Sequence, residues 1–302
     1  MNAPFDYEYL DSGDGARLER FGEYLLARPA PVAIWRPGRP RALWREAHAT
    51  FSHGTSGGGG WTFNRPVPDR FEVRWRDVAF ELRLSGLGHL GIFPEQAPNW
   101  EWLRTLVSAA DRPLKLLNLF AYTGGTTLAV AAALAEAGHL RAPAGRKSPA
   151  SDICHVDAVR SVVRWASENA THCGLNDAGL RWIVEDAHKY VQNEIRRERR
   201  YDLIVLDPPT FGRGRQGQVF KLERDLAALL DDCFALLSRE PLGFLLTCHT
   251  PGIVAPALAN LLAPLLASRG GQLECGDSIQ TSPEAPLPLP CGVFARWRAR
   301  SS

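Results

Sequence analysis

Five short segments carry the residue types that could do chemistry. They are N-L-F-A-Y-T-G-G (118–125), Asp157, Asp186 with Ala187 behind it, D-P-P-T-F (207–211) and Cys248. A glycine pair, Gly124 and Gly125, lets backbone approach a ligand at a helix N-terminus, where amide groups point outward. Asp157 can accept both hydroxyls of a ribose, and Asp186 can accept from an exocyclic amine such as that of adenine. Together they describe an adenosine site. Pro208 and Pro209 fix the backbone after Asp207 and would aim carbonyls and the Phe211 ring at a planar group. Stacking an aromatic ring on a base contributes roughly 1–3 kcal/mol. Each feature also has a plain structural reading. A glycine pair can be a tight turn, an aspartate after a strand an N-cap, and a Pro-Pro step a strand ending.

The elements that must position these residues read clearly. LKLLNLF (114–120), DICHVD (152–157), LRWIVED (180–186), YDLIVLD (201–207) and LGFLLTC (242–248) are predicted strands, with GVFARWR (292–298) a last one. Between them lie predicted helices at 125–137, 187–199 and 255–268. Val159, Val162, Val163, Ala166 and Ala170 mark one face of another helix, and Leu222, Leu226, Leu229, Leu230, Phe234 and Leu237 mark one more. Apolar strands alternating with helices predict a parallel sheet covered on both faces. In such sheets ligands bind at the carboxyl ends of the strands, near the point where strand order reverses. Every candidate above lies at such an end, in order, and that conjunction outweighs the separate structural readings.

Residues 1–95 read differently. They hold Trp35, Trp44, Trp61 and Trp75, and 71–84 alternates as an antiparallel pair turning at Arg76 and Asp77. Gly57 to Gly60 predict a loop, and the Gly/Pro/Ser/basic stretch at 138–152 predicts another. The fold expected is α/β, a Rossmann-like sheet over 96–302 with a smaller β-rich domain over 1–95.

Composition narrows the function. A chain of 302 residues that is 45% hydrophobic and 23% charged is not disordered. No apolar run approaches the ~18–20 residues of a membrane span, so no membrane partner is expected. The N-terminus lacks the basic-then-apolar design of a secretory signal, which points to a cytoplasmic location. A net charge of +2 does not imply a strongly basic polyanion binder but leaves room for a local basic patch. The six cysteines form no C-x-x-C pair, so no metal is expected.

The run A-Y-T-G-G-T (121–126) lacks the G-x-G-x-x-G of dinucleotide sites, and no G-K-[ST] loop is present. S-adenosyl-L-methionine has no phosphates and needs neither. Four segments also resemble one family: H-L-G-I-F-P-E-Q-x-x-x-W-E-W-L (89–103), A-D-R-P-L-K-L-L-N-L-F-A-Y-T-G (110–124), R-W-I-V-E-D-A (181–187) and D-P-P-T-F-G-R-G (207–214). They are similar to the bacterial class I S-adenosylmethionine-dependent methyltransferases related to the 23S ribosomal RNA cytosine-5 enzymes. The resemblance implies that Asn118, Phe120, Tyr122, Thr123 and Gly124 line the cofactor, with Asp157 at its ribose and Asp186 and Ala187 at its adenine. It also implies Gln96 near the cofactor, and Asp207 to Phe211 as a floor between cofactor and acceptor.

Two chemistries are open for the acceptor. A pyrimidine carbon-5 is a poor nucleophile and would need a thiolate adding at carbon-6. Cys248, in T-C-H-T-P, is similar to that family's nucleophile segment, although His249 replaces a residue of the pattern. An amine acceptor could instead be received by D-P-P-T-F without a cysteine. Arg213 and Arg215 are placed for an anionic substrate, whereas the basic run 196–200 reads as a solvated helix end. The function expected is methyl transfer to RNA, with the N-terminal domain helping to hold it. Transfer to a protein or small molecule, or an inactive cofactor-binding module, are the alternatives.

Overall fold

A computed structural model describes residues 5–54, 58–140, 150–175, 179–213 and 219–300. The chain divides into two compact units: Met1–Glu95 with Ile279–Cys291, and Gln96–Ser278 with Gly292–Ser302. Sequence order groups 279–291 with its neighbours, but in the fold this segment packs in the first unit. The Tyr9 hydroxyl donates to the Leu287 carbonyl (2.9 Å), and Leu289 packs with Tyr9, Ala30 and Ala33.

In the first unit, β1 (Tyr7–Gly13), β2 (Ala16–Phe21), β3 (Tyr24–Pro29), β4 (Ala49–His53) and β5 (Gly59–Phe63) form one sheet in that order. A short helix, α1 (Arg41–Arg45), lies between β3 and β4. β6 (Arg70–Trp75) and β7 (Val78–Arg83) pair antiparallel, and Arg76 turns between them at φ 52°. The glycine run departs from the expected loop, because Gly59 and Gly60 belong to β5. A Cβ on Gly59 would stand 2.2 Å from Cζ of Phe51, so this strand position must be bare for the ring to lie across it.

The second unit begins with α2 (Ala97–Ser108), β8 (Lys115–Leu119), α3 (Gly125–Glu136), β9 (Asp152–Asp157) and α4 (Arg160–His172). It continues with β10 (Leu180–Val184), α5 (Ala187–Arg196), β11 (Leu203–Leu206), a small hairpin of β12 (Phe211–Arg213) and β13 (Val219–Lys221), and α6 (Leu222–Ala235). β14 (Gly243–Cys248), α7 (Ala255–Leu266), β15 (Gln272–Gln280) and β16 (Leu289–Arg298) follow. The large sheet runs β10-β9-β8-β11-β14-β16-β15. Its first five strands are parallel, and β16 lies antiparallel to β14 with Val293 opposite Cys248. The sheet is therefore mixed, not wholly parallel. β15 gives no strand signal in the sequence, because its half-exposed residues never form an apolar run.

Alternate residues of the central strands face opposite cores. Leu117, Leu119, Ile204, Leu206, Phe244 and Leu246 pack with α5, α6 and α7. Leu116, Leu203, Val205 and Leu245 pack with α2 and α3. Burial on both faces is the reason these strands show no polar alternation. Strand order reverses between β8 and β11, which makes their carboxyl ends the switch point where ligands bind.

Candidate active site

The turn after β8 carries three left-handed residues. Phe120 (φ 56°) and Tyr122 (φ 50°) are not glycine, and Gly124 follows at φ 96°. Such backbone costs about 1–3 kcal/mol per non-glycine residue and persists only where its surroundings hold it. Here the Tyr122 N–H donates to Asp157 Oδ2 (3.1 Å), the Ala121 N–H to the Val156 carbonyl (3.1 Å), and Asn169 Nδ2 to the Thr123 carbonyl (3.0 Å). Gly124 closes the turn as the N-cap of α3, and a Cβ there would stand 3.2 Å from Cβ of Ala166. Bare backbone thus fronts the helix N-terminus, as a closely approaching ligand requires.

The predicted cofactor residues divide between this edge and the layer behind it. Asp157 holds the turn and also accepts from the Val159 N–H (2.9 Å). Burial pushes its carboxyl above the usual range, and the two N–H donors pull it part of the way back. Asn118 is buried, and its amide donates to Thr127 Oγ1 (2.9 Å), which pairs with His155 Nδ1 (2.9 Å). This network ties β8, α3 and β9 together beneath the turn. Burial holds His155 neutral, its pKa pushed down to about 3. Thr123 is buried as well, and the Phe120 ring lies 5.3 Å from that of Phe220. Asp186 is the N-cap of α5, accepting from the Lys189 N–H (3.0 Å), and Ala187 packs into the apolar cluster behind it.

At the end of β11, three side chains from distant parts of the sequence meet. Gln96 Nε2 donates to Asp207 Oδ2 (3.3 Å) and lies 3.0 Å from His249 Nε2. The same imidazole nitrogen lies 3.3 Å from Asp207 Oδ1. Asn99 fixes Gln96 by donating to its Oε1 (2.7 Å). Asp207 Oδ1 is buried and has no hydrogen bond of good geometry among the described residues. Burial raises the Asp207 pKa, but the neighbouring His249 and the hydrogen bonds from Thr247 and Gln96 outweigh it and hold the carboxyl below its usual range. Pro208 is buried, whereas Pro209, Thr210 and Phe211 are exposed, Phe211 by 48%. The loop is pinned where Thr210 Oγ1 meets Thr250 Oγ1 (2.8 Å).

Cys248 stands one residue before His249 and points elsewhere. It is 1% exposed and lies in the apolar cluster with Leu258, Leu262 and Val293. His249, the departure from the family pattern in T-C-H-T-P, is the residue that joins Asp207. Its signal in the sequence is its place immediately after the last residue of a central strand. Within 196–200, Arg197 pairs with Glu194 and Arg196 with Asn193, at the far end of α5 from the carboxyl edge. Arg215 and most of the 138–152 stretch lie outside the described residues, as does the side chain of Arg213. Among the described residues no group of His, Cys, Asp and Glu could hold a metal ion, and no helix is long and apolar enough to cross a membrane.

The edge fits an adenosyl group: carboxylates at the ends of β9 and β10, bare backbone at the α3 N-terminus, and a buried acceptor atom on Asp207. No family model matches the sequence. A SAM-dependent methyltransferase from Agrobacterium tumefaciens is 36% identical, with a TM-score of 0.89 over 99% of this chain and 92% of that one. A structure solved with SAH shares the fold at 17% identity and a TM-score of 0.68, over 97% of this chain and 75% of that one. The "Ribosomal RNA large subunit methyltransferase K/L" of Shewanella pealeana is 31% identical over 160 residues, 53% of this chain and 19% of that protein. Its namesake from Cellvibrio japonicus is 27% identical over 177 residues, 58% of this chain and 21% of that one. The chain thus spans about a fifth of the length of these curated relatives.

Proposed function

Given that the chain belongs to the S-adenosylmethionine-dependent methyltransferases, we propose that it transfers a methyl group to a base in RNA. The observation that carries this reading is the exposed Pro209–Phe211 segment. It leads from an Asp207 held by Gln96 and His249, beside the bare-backbone turn after β8. The likeness to two ribosomal RNA methyltransferases supports RNA as the acceptor.

S-adenosylmethionine, when bound, supplies an electrophilic methyl group on a sulfonium, whose sulfur leaves as a neutral thioether without acid. Asp157 would accept the ribose hydroxyls and Asp186 the adenine amine, with Ala187 beneath the ring. Phe120, Tyr122, Thr123 and Gly124 would form the wall, stiffened from behind by Asn118. Gln96 and Asp207 would border the reacting centre, and Phe211 would stack on the acceptor base. The work left to the protein is alignment of donor and acceptor, which can contribute roughly 7–11 kcal/mol in favourable cases.

Labelled methyl transfer into an extract from a strain lacking this protein tests the proposal. The extract is split and treated with ribonuclease or protease. Label lost only to ribonuclease is the expected result. Label that resists ribonuclease and goes with protein or small molecules overturns RNA as the acceptor. Phe211→Ala should weaken acceptor binding more than cofactor binding.

A further inference from the structure

We infer that the outer face of the β12–β13 hairpin grips one nucleotide of single-stranded RNA, its base on Phe211 and its phosphate on Lys221. This rests on the RNA reading above and deepens it, because a phosphate contact selects a base within a phosphodiester strand over a free nucleoside.

The hairpin is a ribbon with two unlike faces. Residues opposite each other in an antiparallel pair share a face, and successive residues alternate. Phe211 stands opposite Lys221, Gly212 opposite Phe220 and Arg213 opposite Val219. Gly212 and Phe220 therefore make the inner face. Phe220 is buried, its ring 5.3 Å from that of Phe120 in the turn after β8. A Cβ on Gly212 would stand 3.5 Å from Cγ of Pro209, so the D-P-P loop closes on the same side. Phe211, Val219 and Lys221 make the outer face, and all three are exposed.

Backbone contacts hold that face in place beyond the end of β11. The Leu222 N–H donates to the Thr210 carbonyl (3.1 Å), the Lys221 N–H to Asp225 Oδ2 (2.7 Å), and Arg224 to the Val219 carbonyl. The Lys221 charge is left over. Among the described residues no carboxylate pairs with its ammonium. Asp225, which accepts from its backbone, has both oxygens engaged by the Arg224 guanidinium (2.7 and 2.8 Å).

A flat ring with a cation directly across the ribbon matches a nucleotide. Any base has a π-face to stack on the ring, and its phosphate carries the complementary charge. Opposed residues on one face place their Cβ atoms about 4.5–5.5 Å apart. The flexible four-carbon stem of lysine can then span from base to phosphate. Within a helix, neighbouring base pairs cover the faces of each base. The base on Phe211 must therefore be unstacked, as in a loop or a single strand.

Fluorescence anisotropy tests the grip, with full-length protein, saturating S-adenosylhomocysteine and a labelled single-stranded RNA of about ten nucleotides. Affinity is followed between about 50 and 200 mM salt. Each phosphate neutralised on a single strand adds about 0.7 to the slope of log affinity against log salt, so Lys221→Gln should lower the slope's magnitude by about 0.7. Phe211→Ala should leave the slope unchanged and weaken binding about 5- to 150-fold at every salt concentration. Lys115 is also exposed but lies at the amino end of β8, away from the ligand edge, and Lys115→Gln should alter neither. A fold weakened by substitution could not separate slope from affinity in this way. An unchanged slope in Lys221→Gln, an equal fall in Lys115→Gln, or no measurable binding by wild type would each overturn the grip, even where labelled methyl goes into RNA. Label in protein or small molecules in the extract assay would overturn the RNA reading itself, and the grip with it.

Discussion

Two carboxylates anchor two polar clusters in this molecule, and the clusters are built to opposite ends. In the N-terminal unit, Glu19 is fully buried and both of its oxygens accept well-formed hydrogen bonds. Its Oε1 accepts from the Tyr7 hydroxyl and Arg28 Nη2 (each 2.9 Å), and its Oε2 from Arg28 Nε (2.8 Å); Arg17 Nε lies 3.3 Å from Oε2 as an ion pair without a well-formed hydrogen bond. At the end of β11, Asp207 keeps 28% of its side chain exposed, and one oxygen lacks a well-formed hydrogen bond. Both carboxyls are pushed up by burial and pulled further down by cationic or hydrogen-bonding neighbours, so both sit below the usual range. A depressed pKa therefore does not separate the two. The carboxylate oxygens do: both of Glu19's are satisfied and hold the fold together, whereas Asp207 Oδ1 at the sheet edge is not.

That contrast can be broken by mutation. The largest effect expected is on activity. Asp207→Asn should reduce methyl transfer about 10²-fold, the scale of a misaligned reacting centre, yet change stability by less than about 1 kcal/mol, because a partly exposed polar contact contributes little. Radiolabel transfer and a urea melt on one preparation measure both, and a large loss of stability would erase the distinction. Glu19→Ala should behave the other way. It strands Arg28 in the interior and should cost about 3–5 kcal/mol of unfolding free energy. The pH dependence follows with its sign. Glu19 has a depressed folded pKa, so its contribution is fully present above the ordinary carboxylate range and is lost as pH falls through the folded value. Wild type should lose this increment on acidification, and Glu19→Gln should not.

Smaller changes sharpen the picture at the cofactor edge. Gly125→Ala would place a Cβ 2.8 Å from Cζ2 of Trp100, whose indole N–H donates to Thr126 Oγ1 (3.2 Å). Overpacking of this kind costs about 1–3 kcal/mol, and thermal denaturation should show it. Asp186→Ala should lose about 1 kcal/mol from the N-cap of α5. Asp186→Ser should recover the cap without recovering affinity for S-adenosylmethionine, if the carboxylate also meets adenine. Equal cofactor affinity in Asp186→Ser and wild type would leave that residue a cap alone.

Much of the site was legible because its residues lie at the ends of strongly apolar strands. Asp157 and Asp207 could be placed at an edge from the runs DICHVD and YDLIVLD, and the turn from its glycine pair. Weak strand character hides the rest. β15 carries no apolar run, and Gly59 and Gly60 enter a strand for the sake of the Phe51 ring, a contact no local pattern announces. Asn118 sits at the right strand end, but its amide faces inward to Thr127, a direction set by the packing of α3 against β8 and β9.

The alternation of apolar strands and helices, the breaks at Gly124 and Pro208, and the carboxylates just beyond the strands are local properties of the chain. They suffice for an α/β sheet with an adenosine-like edge, because burial on both faces demands those residues wherever the strands lie. The chemistry of the cleft is not local. Gln96 reaches Asp207 across 111 residues and His249 across 153. Whether Cys248 or its neighbour His249 faced that meeting point depended on how β14 lies between β11 and β16, which sends one side chain into the α7 core and the next toward Asp207.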